Sequence, residues 1–397
     1  MARPVIVGVG MTTFGQQPES TLKSLAGAAA KAALADAGLE AREIDAVFAS
    51  NVGAGIITGQ EAVRGQVSLK EIGVGGVPMF NVENACASGS SAVHLAAQYL
   101  ASGACQTALV VGYEKMTARD RSLAFAAIDA CGDVEEISAI KATLDPAERQ
   151  RSIFMDFYAR KVRKYMARCG ATKIHLAKIA AKNHSNGVDN EFAQFRKARS
   201  VEDVLMSREI VDPLHLLMCS PISDGGAAIV LATPEWAKSN GRTGPRVASS
   251  KLRADSFSEV EAQVRMIAQE AYNDAGLTPN EIDIAEVHDG SAPGELFAYE
   301  DLGFAQPGEG WKLLEEGAVF RGGRIPVNPS GGLLARGHPL GATGVAQICE
   351  LAWQLRGEAG DRQVPGAKVG VAHCLGGQTS FGNTTGAAAM SIIVVTT

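Results

Sequence analysis

Apolar and polar positions along the chain switch repeatedly between two periods. Val5 to Val9 is a short apolar run and predicts a strand, ending at Gly8-Val-Gly10. Leu22, Leu25, Ala29 and Ala33 then recur at helical spacing, and Gly38 stops the helix. Ile44 to Ala49 predicts the next strand, and a helix over 60–69 follows. Val77-Pro-Met-Phe80 predicts a buried strand and Ala108-Leu-Val-Val-Gly112 another. Between these two, Val93, Ala96, Ala97 and Leu100 place one apolar helical face behind Cys86. Strands alternating with helices predict an α/β class built on a largely parallel sheet covered on both faces.

From about 117 to 217 the strand signal fades and helices dominate. Gly225 to Ala232 returns to strand, and Arg246-Val-Ala-Ser249 starts another. The chain then repeats itself. Asp36-Ala-Gly-Leu39 with Glu43-Ile-Asp45 is echoed by Asp274-Ala-Gly-Leu277 with Glu281-Ile-Asp283, at the same internal spacing. Ala87-Ser-Gly89 before one helix is echoed by Ala342-Thr-Gly344 before another. Two similar α/β halves with a helical insertion in the first are therefore expected. Facing halves would bring the loops of Cys86 and His338 to one pseudo-symmetric centre. Ile392 to Thr397 predicts a final strand.

Composition narrows the class. Apolar content of 46% with 20% charged residues suits a globular chain. A net charge of −6 argues against a nucleic-acid binder. Seven cysteines with no C-x-x-C pair point to free thiols in a reducing compartment, not to a disulfide framework or zinc knuckle. No secretory h-region and no membrane-length apolar run is present, so a cytoplasmic location is expected. Basic residues crowd 149–199: Arg149, Arg151, Arg160, Lys161, Arg163, Lys164, Arg168, Lys173, Lys178, Lys182, Arg196, Lys197 and Arg199. This run is either a solvated helical face or a collar for a multiply phosphorylated ligand such as coenzyme A (CoA).

Candidate chemistry sits at loops. Cys86 lies within Asn81-Val-Glu-Asn-Ala-Cys-Ala-Ser-Gly-Ser-Ser91, where a helix is expected to begin, so the dipole end should favour its thiolate. Glu286-Val-His-Asp-Gly290 and Val369-Gly-Val-Ala-His-Cys-Leu-Gly-Gly377 add His288 and Cys374 at strand ends, and Asn328-Pro-Ser-Gly-Gly332 with Gly337-His-Pro-Leu-Gly-Ala-Thr-Gly344 adds His338 in a glycine-rich turn opening a helix. One nucleophile candidate, two histidines and a second thiol form a nucleophile–base arrangement. Asp289 and His373 are expected to be structural, and no metal site is expected.

These loops, with Lys182-Asn-His-Ser-Asn186 and Cys219-Ser-Pro-Ile-Ser-Asp-Gly-Gly-Ala227, make the chain resemble the thiolases, in particular the sterol-carrier-protein-2 type and its bacterial relatives. The resemblance covers nearly the whole chain. It implies two βαβαβαββ halves in a five-layered α-β-α-β-α fold with an inserted loop domain. The expected division is 1–116 with 218–245, then 117–217 as insertion, then 246–397. It implies cleavage of a 3-ketoacyl-CoA by CoA, or the reverse Claisen condensation, with CoA as co-substrate and no tightly bound cofactor. A homodimer or tetramer is implied, and for some bacterial relatives a small zinc-ribbon/OB-fold partner subunit.

By motif, Cys86 matches the acyl-accepting nucleophile, His338 its activating base and Cys374 the proton shuttle at the α-carbon. The N–H groups of Cys86 and Gly376 match one oxyanion hole, and His338 with His288 the other. Ser249 falls where thiolases contact the pantetheine arm. One departure stands out: the sterol-carrier type carries His-Asp-Cys-Phe at the third loop, and this chain has His288-Asp-Gly-Ser291. The lost bulk predicts a larger acyl group, branched or aromatic. Rivals are a ketosynthase-like enzyme, a C-acylating thiolase-like acyltransferase and a catalytically silent acyl-CoA-binding subunit. Cys374 argues against the ketosynthase-like enzyme, and the full set of Cys86, His338 and Cys374 argues against the silent subunit.

Overall fold

The structure is a computed structural model, and it describes residues 3–146, 148–257, 262–382 and 386–397. Its main sheet contains β1 (Val5–Met11), β2 (Ala46–Ser50), β3 (Met79–Val82), β4 (Thr107–Glu114) and β5 (Gly225–Ala232) from the first half. The second half supplies β6 (Arg246–Arg253), β7 (Ile284–Val287), β8 (Val369–Gly376) and β9 (Ala389–Thr396). The order is β3-β2-β4-β5-β1-β6-β9-β8-β7. Read outward from the β1/β6 junction, the two halves are mirror sequences of equivalent strands. The junction itself is one antiparallel pair, Val5 with Arg246. In the second half the counterpart of β3 shrinks to a single bridge between Ala285 and Val327.

The sheet is mixed and not largely parallel. Only β3-β2-β4 and β7-β8 run parallel, while the last strand of each half, β5 or β9, returns antiparallel between its neighbours. Most of the apolar runs report burial on both faces, which says nothing of strand direction; β3, expected to be buried, is instead an edge strand with Phe80 and Asn81 exposed.

Three apolar cores define five layers. Helix Leu22–Ala37 covers the outer face of the first half with Val5, Val7, Val47, Leu109 and Val230. A central layer of helices Ser88–Ala101 and Leu340–Arg356 is sandwiched between the inner faces of both halves, touching Ile6, Val110 and Ile229 on one side and Ile284 and Ile393 on the other. Helices Gln263–Ala275, Ala292–Asp301 and Lys173–Gly187 cover the outer face of the second half. Close approach sets the first interface: a Cβ on Gly8 would meet the Ala33 carbonyl oxygen at 2.3 Å. The Gly8-Val-Gly10 pair therefore serves packing.

The stretch between β4 and β5 is largely helical, including Ser122–Asp129, Val134–Thr143 and Ile153–Arg168. It rises from the strand ends that also carry the loops of Cys86, His288 and Cys374.

Candidate active site

The loops of Cys86, His288 and Cys374 are held at strand ends, whereas His338 sits between the short helix Gly332–Ala335 and helix Leu340–Arg356. The helix behind Cys86 begins at Ser88, later than its apolar pattern suggests. Ser88 ties down the turn: its hydroxyl accepts from the Asn84 N–H at 2.8 Å and donates to the Ala85 carbonyl at 2.6 Å. Ala85 takes φ 48°, a left-handed turn that aims the next side chain out of the strand. On the opposite side, Gly337 takes φ 109° just ahead of His338. The His338 N–H donates to Ser223 Oγ at 3.0 Å, so the Cys219–Ala227 segment helps to position this histidine.

Across the boundary between halves, His338 Nε2 lies 3.3 Å from Cys86 Sγ. His338 Nδ1 lies 2.7 Å from Thr343 Oγ1, and that hydroxyl donates its only proton to the Pro339 carbonyl at 3.0 Å. Thr343 can therefore only accept from the ring. The imidazole carries its proton on Nδ1 and turns the Nε2 lone pair toward the sulfur.

Protonation states correct one expectation. Burial pushes the Cys86 thiol up to about 12, against the hydrogen bonds from the Gly377 N–H and its own N–H that oppose the rise. Burial, with His288 and Arg336 nearby, holds His338 well below its ordinary range. The resting pair is thus a neutral thiol facing a neutral imidazole, not a thiolate preset by the helix start. Two amide donors cannot repay the desolvation of a buried sulfur anion.

His288 completes the centre. Its ring centroid is 5.2 Å from that of His338 at 76°, and neither of its nitrogens has a hydrogen-bond partner among the described residues. Burial lowers it to about 4, so it is neutral near pH 7. A Cβ at Gly290 would stand 3.1 Å from the His288 ring, so this glycine leaves open the space that a larger residue would fill.

Cys374 lies directly behind Cys86, its sulfur donating to the Cys86 carbonyl at 3.2 Å, and burial raises it well above the ordinary thiol range. Gly376 is wedged against the same turn: a Cβ there would meet the Asn84 carbonyl oxygen at 2.1 Å. Ser249 does not join these residues. Strand alternation turns it toward helix Gln263–Ala275, where its hydroxyl donates to Asp274 Oδ2 at 2.9 Å. Asp289 is structural as expected, accepting from Asn183 Nδ2 at 2.7 Å and the Leu333 N–H at 2.6 Å.

A cavity of about 1400 Å³ opens above Cys86, His288 and His338. Its inner wall is apolar, with Phe125, Ile128, Phe154, Phe157, Phe297 and Leu340. The basic run divides here. Arg151, Arg160, Lys161, Lys164 and Arg168 line the cavity, joined by Arg121, Arg208 and Arg265. Lys182 is instead buried against Glu295 at 2.8 Å, and Lys178 pairs with Glu315 at 2.6 Å. Thr343, Ser223 and Tyr158 also belong to the site without having been singled out in the sequence. Thr343 lay inside a quoted glycine-rich motif, whereas nothing local marked Tyr158, which reaches the cavity from helix Ile153–Arg168.

The model of the thiolase N-terminal domain matches residues 4–235, and that of the thiolase C-terminal domain-like family matches 248–385. The chain belongs to the thiolase family. It is 38% identical to an acetyl-CoA acetyltransferase of Methanothermobacter thermautotrophicus over 385 residues, covering 94% of this chain and 96% of that one. It is 37% identical to human sterol carrier protein 2 over 394 residues, 95% of this thiolase and 70% of the relative. Among solved structures, the Ltp2–ChsH2(DUF35) aldolase superposes with a TM-score of 0.80 at 24% identity, covering 100% of this chain and 98% of that one. Human mitochondrial 3-ketoacyl-CoA thiolase in complex with CoA superposes at 0.74 with 18% identity, covering 100% and 98%. These last two show the shared fold.

Proposed function

We propose that this thiolase-family acyltransferase splits a 3-ketoacyl-CoA with CoA through an acyl-Cys86 intermediate, or runs the condensation in reverse. The 3.3 Å contact between the Cys86 sulfur and the unprotonated Nε2 of His338 carries the proposal. As substrate enters, the thiol proton passes to Nε2 and the sulfur attacks the C3 ketone. The alkoxide formed is stabilised by N–H donors around Cys86, with Gly376 and Gly377 closing the same turn. Collapse of the alkoxide breaks the carbon–carbon bond and releases an acetyl-CoA enolate, whose thioester oxygen faces His338 and His288. Cys374 protonates the enolate carbon after leaving the Cys86 carbonyl. It then takes the proton of incoming CoA, whose thiolate accepts the acyl group. Departing Cys86 recovers its proton from His338, and the cycle closes.

The basic side chains around the cavity suit the phosphates of CoA. Arg121, Lys164, Arg168 and Arg208 form no ion pair among the described residues, which leaves their charge for a ligand. The helical insertion over 117–217 acts as the CoA-holding domain between the two halves in this scheme. The apolar wall and the absent side chain at Gly290 support a bulky, branched or aromatic acyl group. A homodimer or tetramer and a small partner subunit belong to the same proposal. The name of the Ltp2–ChsH2(DUF35) aldolase, whose fold this chain shares, joins two components.

The test is CoA-dependent cleavage of a panel of 3-ketoacyl-CoAs by the purified protein. Cys86→Ala should lower turnover by about 10⁴-fold or more. Unchanged cleavage in that variant, or cleavage indifferent to CoA, would reject the mechanism. A preference for acetoacetyl-CoA over aryl and branched substrates would reject the bulky acyl group. Size-exclusion chromatography and co-purification read the assembly.

A further inference from the structure

We propose that Cys86, His288 and His338 also form a binding site for a soft divalent cation such as Zn²⁺, which blocks the site by occupying the place of the substrate. One donor atom from each residue lies within 4.8 Å of the others. The Cys86–His338 pair is already at 3.3 Å. A tetrahedral zinc with bonds of about 2.1 Å to nitrogen and 2.3 Å to sulfur spaces its donors about 3.4–3.7 Å apart, so the set closes with shifts of roughly 1 Å.

The lone pairs are available. Thr343 holds the His338 proton on Nδ1, so Nε2 faces the sulfur unprotonated. His288 is 5% exposed and both its ring nitrogens lack partners among the described residues. A buried unpaired polar nitrogen is costly to the fold, and coordination would satisfy it. The missing side chain at Gly290 leaves the His288 ring room to turn. Among the described residues no other set of three His, Cys, Asp or Glu side chains converges as closely. Binding exchanges the Cys86 thiol proton, released to solvent, for a metal–thiolate bond, and nothing is oxidised or reduced. A water from the cavity takes the fourth position.

The inference goes beyond the proposed reaction, and its test uses no substrate. The purified protein is titrated with Co²⁺, a spectroscopic stand-in for zinc, and followed by absorption. A sulfur-to-cobalt charge-transfer band saturating at one equivalent and removed by Zn²⁺ is expected. Cys86→Ser and prior alkylation of Cys86 should abolish the band. His288→Asn should weaken binding at least about tenfold, as expected for loss of a ligand. Cys131→Ser, which alters a second thiol of the same cavity wall, should keep the band. Absence of the band in the unmodified protein, its survival in Cys86→Ser, or its loss only in Cys131→Ser would each overturn the site. Cleavage without a band removes the metal site alone, and a band without cleavage removes the reaction alone.

Discussion

Cys86 and His338 occupy equivalent places in the two halves of the molecule. Each follows a residue of positive φ and precedes a central helix, Ser88–Ala101 or Leu340–Arg356. The second half makes its turn with Gly337, which has no Cβ to clash. The first half uses Ala85 at φ 48°, an unfavourable conformation for a residue with a side chain. Around the turns the halves diverge further. The first is tied through Asn84 and Ser88, while the second leans on Ser223 and Thr343. A duplicated scaffold thus delivers two partners with one geometry; one turn carries a thiol and the other an imidazole, and the hydrogen bonds added to each fix how it is held.

The largest effect that sharpens this contrast comes from Thr343. Thr343→Val removes the acceptor that fixes the His338 tautomer, and turnover should fall about 10–100-fold with little change in KM. A merely structural role would move stability without changing the pH–rate profile, so both are measured, and Thr343→Ser should restore most activity. An equal loss in kcat and thermal stability with an unshifted profile would count against the tautomer role.

Next comes the second turn. Gly337→Ala places a Cβ 2.7 Å from Ser223 Oγ at φ 109° and should destabilise the fold by about 1–3 kcal/mol in denaturant titrations. It should also displace His338.

The buried histidine gives a pH signature. His288 falls to about 4 in the fold from an ordinary 6.5. Between these values the unfolded chain binds a proton that the native state does not. Its contribution is therefore present above pH 6.5 and lost as pH falls toward 4. His288→Asn should reduce the stability lost between pH 7 and pH 5 by about 2 kcal/mol, read from denaturation midpoints at both values. An unchanged difference would show that the ring titrates normally.

The smallest effect is expected at Ala85. Ala85→Gly should relieve about 1 kcal/mol of backbone strain, largely offset by the greater freedom of glycine in the unfolded chain. A net change within about 0.5 kcal/mol, set beside the loss in Gly337→Ala, would make the contrast between the turns quantitative.

Local pattern carried a great deal of this molecule. The helical period of Leu22, Leu25, Ala29 and Ala33, the repeat of Asp36-Ala-Gly-Leu39 at Asp274, and the glycine-rich turns around His338 and Cys374 were all legible in the chain. They define the elements, the duplication and the candidate reactive groups, because period, breakers and turn residues act over a few neighbours. Strand direction was not legible, since an apolar run reports burial alone. Nor was the fate of the basic run, which sends Lys182 into a buried pair and Arg168 to the cavity on the strength of helix orientation. Only the tertiary structure decided that Cys86 rests as a thiol, that Thr343 sets the tautomer of His338, that Ser249 turns away from the cavity, and that Tyr158 enters it. Each of these depends on desolvation and hydrogen bonding, some of it between segments hundreds of residues apart, and such terms exist only once the two halves have closed on each other.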